Sequence, residues 1–162
     1  MRVIGCVILL YAQSMTRVLS LQVDDVRVAE DGGNLGIGDV RVRFGTEFVR
    51  LPPPLAGLVR ELLADRWEPK ISLAVDPGPW LFPGRKPGQA LSHAWVKTRL
   101  KALGLKPAPA RARAMLHLAQ RLDAPLLARM LGISFSTATE WQEFAGQEFG
   151  GYVGRAAGAR RP

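Results

Sequence analysis

The sequence predicts an α+β fold, mainly α-helical: a helical bundle with a small antiparallel β-meander near the N-terminus. Three observations predict it. Apolar residues recur at three and four residues over most of the chain, as a helix with one buried face requires. Between residues 26 and 52 the period shortens to two, with Val40, Val42 and Phe44 alternating with Arg41 and Arg43. The chain has 162 residues and 48% hydrophobic content, enough for one self-sufficient core. A single domain is expected over 1–153, followed by a flexible basic tail over 154–162.

Residues 2–20 read as an apolar helix, a short break at the polar Gln13, Ser14 and Thr16, and a further helical turn. Asp24 and Asp25 suit a turn or cap. The meander follows, with turn signals at Asp31-Gly-Gly-Asn34 and Gly45-Thr46 and a last strand at Phe48, Val49 and Leu51. The Leu35-Gly-Ile-Gly-Asp39 stretch lacks the third glycine and the helix of a dinucleotide fingerprint, and no cofactor is expected. Pro52-Pro-Pro54 stops the sheet, and Leu55, Leu58, Val59, Leu62 and Leu63 mark a helix over 54–67.

Residues 68–90 are rich in proline and glycine, with Trp80-Leu-Phe82 as a short strand or a loop inserted into the core. Ser92 is placed to cap a helix over 93–103, with Val96, Leu100 and Leu103 inward and His93, Lys97 and Lys101 along one exposed face. Gly104 fits the position just past its end. A helix over 110–122 should bury Ala112, Met115, Leu116, Ala119 and Leu122. Asp123 caps a short helix over 124–131 that stops at Gly132. Ser134 or Ser136 opens the next, to about Gln147, with Thr137-Ala-Thr-Glu140 as a capping box.

Charge is unevenly placed. The net charge is +8, yet residues 1–52 carry six Arg against six Asp and Glu. Arg85, Lys86, Lys97, Arg99, Lys101, Lys106, Arg111 and Arg113 lie in one stretch with no acidic residue. A concentrated basic region is the electrostatic footprint of a polyanion binder such as nucleic acid, with a solvated basic surface as the other reading. The one cysteine, Cys6, excludes an internal disulfide and a cysteine-rich metal site, and no metal is expected. Cys6 reads as a small core residue. The apolar run Val3–Ala12 is far short of the roughly 20 residues of a membrane span. A cytoplasmic protein with no membrane partner is expected.

The order of elements resembles the catalytic domain of tyrosine recombinases, the phage integrases. Val7-Ile-Leu-Leu-Tyr-Ala12 with Val18-Leu-Ser-Leu-Gln-Val-Asp-Asp-Val26 is similar to that family's opening phrases. Arg50-Leu-Pro52, Leu81-Phe-Pro83, Leu91 to Leu105, and Leu131-Gly-Ile133 with Ser136-Thr-Ala138 are similar to later ones, so the resemblance spans about residues 3–150. It is nearest to an Arg- and Ala-rich, actinobacterial integrase-like subset. The opening at Met1 within an apolar helix suggests that a preceding DNA-binding domain has been lost.

The resemblance implies double-stranded DNA as the partner, held through its phosphates. It also implies strand transfer by a tyrosine nucleophile, with two arginines and a His or Trp stabilising the phosphate oxygens and a hairpin lysine as the acid. Loss of one such donor typically costs ~10²–10³ in rate. Carried over position by position, the first arginine falls at Ser14, the histidine of the His-x-x-Arg motif at Ala108, and its arginine at Arg111. The later histidine falls at Ile133 and the nucleophile at Trp141, nine residues after Gly132. Arg17 stands where the family has a structural Glu. Residues 23–69 hold no lysine, and a guanidinium such as Arg43 stays charged, so it is a poor acid. Tyr152 lies eleven residues past Trp141. Of these positions only Arg111 is retained, and no catalytic residue is expected. His117 reads as a helix-surface residue.

Two other readings stand beside this one. Residues 124–147 can form a helix-turn-helix, although Glu140 and Glu143 on its second helix would face phosphate. A protein-interaction remnant of a mobile-element integrase is the other, with a homo-oligomer or an active related recombinase as partner.

Overall fold

The computed structural model describes the backbone of residues 1–29, 39–67, 78–86 and 88–158, and the side chains of these except 66–67 and 147–158. The elements are α1 (Arg2–Tyr11), α2 (Met15–Leu19), a 3₁₀ turn (Val23–Asp25), β1 (Val26–Val28), β2 (Val40–Arg43), β3 (Phe48–Arg50), α3 (Pro53–Trp67), α4 (His93–Ala102), α5 (Pro107–Ala119), α6 (Ala124–Leu131) and α7 (Phe135–Gly158). The α+β, mainly helical architecture is therefore present, with the small sheet near the N-terminus. The turn signals within 30–38 and the stretch 68–77 lie outside the described residues.

The sheet is antiparallel in the order β1-β2-β3. Val26, Val42 and Val49 pair across it, as do Arg27, Arg41 and Arg50. Because side chains alternate along a strand, the valines turn to the core while the arginines share the outer face. Val40 and Val42 are buried, and so is Phe44, one residue past the end of β2. On the outer face the Arg27 guanidinium lies 3.9 Å from the Phe48 ring centroid. Asp39 is buried and forms ion pairs with Arg41 at 3.2 Å and Arg50 at 2.9 Å, so this carboxylate is neutralised from two strands. Its Oδ1 makes no aligned hydrogen bond, so its contact with Arg50 is an ion pair only.

Two apolar clusters form the core. The first joins α1, α2, the sheet, α3, α4 and the inserted Leu81 and Phe82. Leu81 N donates to Leu21 O at 2.8 Å, so the Trp80–Phe82 segment is held as an inserted loop. The second cluster joins α5, α6 and α7 around Met115, Leu127 and Ala138, with Ala12 reaching in from the α1–α2 corner. Cys6 is partly buried against the first cluster.

Several expectations change. Leu103 is 69% exposed, because α4 ends at Ala102 and Gly104 (φ +77°) turns the chain away. Helix α5 starts at Pro107, three residues earlier than expected, since proline is favoured in a first turn where its missing N–H has no partner. Its buried face carries Ala114, Met115 and Ala119, while Ala112 is exposed. Ser92 occupies the N-cap of α4 but makes no side-chain capping bond. The cap of α7 is Ser134, whose Oγ accepts from Thr137 N at 3.2 Å, in place of a Thr137–Glu140 box. Helix α7 continues past Gln147 to Gly158. Asp123 caps α6 through Leu126 N, and Gly132 ends it in the left-handed region, both as expected.

Candidate nucleic-acid interface

Helix α4 has its buried residues, Val96 and Leu100, four apart. The same period puts His93, Lys97 and Lys101 in one exposed row. The chain then turns at Gly104 and enters α5 through Lys106 and Pro107, so the first turn of α5 lies alongside that row. The Gln13–Thr16 corner closes the third side. These three segments enclose an open groove of about 570 Å³. Its rim carries His93, Lys97, Lys101, Lys106 and Arg111, and its walls include Met15, Leu105, Pro107, Ala108 and Pro109.

The corner is built by backbone geometry. Ala12 has φ +50°, left-handed for a non-glycine residue, and ends α1 abruptly. Arg111 Nε donates to the Ala12 carbonyl at 2.9 Å, which satisfies an orphan acceptor of the α1 terminus. The buried Gln13 donates through Nε2 to Tyr11 O at 3.2 Å and Leu131 O at 3.3 Å. Both cores therefore fasten to the same corner.

The positions named by the resemblance divide into two sets. Ser14, Ala108 and Arg111 meet in the groove. Ser14 Oγ accepts from Arg17 N at 3.2 Å as the N-cap of α2, and Ala108 offers only a methyl group. Ile133 and Trp141 pack against the second core cluster, with the Trp141 ring edge-on to Phe144 at 6.1 Å. Neither lines the groove. Tyr152 lies on α7, with its side chain outside the described residues. Eleven helical residues place its backbone roughly 16 Å along the axis from Trp141 at 1.5 Å per residue. Tyr11 donates to Arg50 O at 3.2 Å, and burial pushes its phenol above the ordinary value of 10.0.

The eight basic residues of the acid-free stretch also separate. Lys97, Lys101, Lys106 and Arg111 share the groove. Arg85 and Lys86 are exposed on the loop before α4. Arg99 lies on another face of α4, its guanidinium 5.4 Å from the Trp95 ring. Arg113 lines a separate groove of about 420 Å³ with Leu9, Leu10 and Leu118. His117 is exposed on α5 beside Arg121, a surface residue as expected.

Among the described residues the ion pairs are Arg2–Glu61, Arg41–Asp39, Arg43–Asp25 and Arg50–Asp39. None uses a cation of the groove. The same residues hold no cluster of three His, Cys, Asp or Glu suited to a metal. No described helix is long and apolar enough to cross a membrane.

Sequence reasoning missed two features. One is the role of Arg17, whose Nη2 donates to Phe44 O and joins α2 to the turn after β2. The other is the part of Met15, Thr16 and Leu105 in the groove. No local signal marks either, because both depend on contacts distant in sequence. The outer arginines of the sheet were legible in the alternation around Val40 and Val42.

The second half of the candidate helix-turn-helix is α7. Its described exposed residues include Phe135, Ser136, Glu140, Glu143 and Phe144, and no Lys or Arg occurs between 135 and 146. Acids on that face disfavour a phosphate surface.

No family model and no curated protein matches the sequence. Solved structures do match. The XerH site-specific recombinase bound to palindromic difH substrate, in its post-cleavage complex, superposes with a TM-score of 0.63 at 20% identity over 94% of this chain. Its pre-cleavage complex with difH substrate gives 0.59 at 21% identity over 86%. This chain spans 44% and 42% of those two chains, less than half of either. The chain has a fold similar to that of a site-specific tyrosine recombinase.

Proposed function

We propose that this chain is a DNA-binding domain that grips the phosphate backbone of duplex DNA through the α4–α5 groove and does not cleave it. One observation carries the reading: Lys97, Lys101, Lys106 and Arg111 converge on one concave surface without a carboxylate partner among the described residues. Cations with no carboxylate partner are available to a polyanion, and phosphate contacts give affinity without base specificity. The recombinase-like fold supports the choice of DNA.

The inactive half of the proposal rests on chemistry. Phosphoryl transfer needs preorganised donors where charge develops on the phosphate oxygens. Ser14 and Ala108 supply no cation to the groove, and Arg111 has its Nε committed to Ala12. Trp141 cannot act as an oxygen nucleophile. A duplex with a nicked suicide site separates the two halves of the proposal. The expected result is non-covalent binding with no protein–DNA adduct under denaturing conditions. An adduct that disappears in Tyr152→Phe would show an active enzyme.

A further inference from the structure

The groove is cationic at its rim but mostly apolar on its walls, and a phosphodiester backbone uses only the rim. Met15, Leu105, Pro107, Ala108 and Pro109 form its apolar lining, beside Lys97, Lys101 and Arg111. Its volume of about 570 Å³ suits a small organic molecule, and an apolar recess with a few placed polar groups is the usual form of a ligand site.

We infer that this recess binds an amphipathic small-molecule anion, with its apolar body against the α5 first turn and Met15 and its head on the ammonium groups of α4. The head is a phosphate or a carboxylate, since both accept from lysine and arginine donors. An ion pair beside apolar walls is less screened than one on an open surface, so head and body reinforce each other. Arg111 is already oriented by its bond to Ala12, so less freedom is lost on binding. This inference uses the same groove as the DNA reading but does not depend on it.

Calorimetric titration of the full chain with 1-naphthyl phosphate, 1-naphthoate, inorganic phosphate and 1-naphthol tests it, with duplex DNA titrated in parallel. At least one naphthyl anion should bind more than about tenfold tighter than either inorganic phosphate or 1-naphthol, because only it buries an apolar ring and pairs a charge. The tighter of the two anions identifies the head. Lys101→Glu should weaken that anion by about tenfold or more through like-charge repulsion. Ala108→Phe, or Ala108→Leu if the larger variant does not fold, should weaken it by filling the recess. Inorganic phosphate binding as tightly as the naphthyl anions would reduce the site to its cations. Equal binding of 1-naphthol would reduce it to an apolar patch. Either result, or no binding at all, overturns the inference. Duplex binding without naphthyl binding sinks this inference alone; the converse sinks only the DNA reading.

Discussion

Arg111 Nε and the Ala12 carbonyl are hydrogen-bonded at 2.9 Å across 99 residues of sequence. The bond joins the first turns of α5 to the left-handed corner that ends α1. It ties together two walls of the cationic groove, so Arg111 has a structural role beside its proposed electrostatic one.

Lysine at this position separates the two roles. Arg111→Lys keeps the charge but cannot reproduce the guanidinium geometry. We expect the variant to lose about 1–2 kcal/mol in urea unfolding, the range for a partly exposed hydrogen bond from a charged donor. Wild-type stability for Arg111→Lys would show that the tie to Ala12 contributes nothing in solution.

The contact between the hairpin and α6 makes a second test. At Gly132, φ is +67°, and an added Cβ would lie 2.9 Å from both Phe44 O and Arg17 Nη2. Gly104 has a similar φ of +77° with nothing within 4 Å of such a Cβ. Gly104→Ala should therefore lose only the left-handed backbone cost of roughly 1–2 kcal/mol. Gly132→Ala should lose more, by at least about 1 kcal/mol, as overpacking against backbone typically does. Equal midpoints in urea for the two variants would mean that the hairpin does not press on the α6–α7 turn.

Tyr11 predicts an alkaline limit. Burial raises its phenol above 10.0, so the folded state holds the proton more tightly than the unfolded state. The corresponding stability is present below pH 10 and is lost as pH rises through the raised folded value. Ionisation also removes the proton that Tyr11 donates to Arg50 O. Unfolding free energy should fall above about pH 10 in the wild type and fall less in Tyr11→Phe. Parallel pH profiles for the two proteins would contradict this.

Much of the fold was legible because it rests on local periodicity. The switch from alternation around Val42 to the Leu55, Val59, Leu62 repeat places sheet and helix correctly. Differences arose in which residues of a helix meet the core and where a helix stops. Helix α5 buries Ala114 beside Met115 and Ala119 and leaves Ala112 outside, and ending α4 at Ala102 leaves Leu103 in solvent. The site was half legible. An acid-free basic stretch can be counted, but the sorting of Lys97 into the groove and Arg99 onto Trp95 depends on helix phase. That Ser14 and Lys101 line the same groove depends on contacts that no local pattern records.

Whether the groove cations meet phosphate is tested most directly by the salt dependence of duplex binding. Each phosphate contact contributes a slope of about −0.9 in log affinity against log salt. Wild-type affinity should fall steeply with salt, and the double substitution K97E/K101E should both weaken binding and make that slope shallower by about 2. An unchanged slope and affinity in the double variant would place any DNA contact elsewhere and contradict the account.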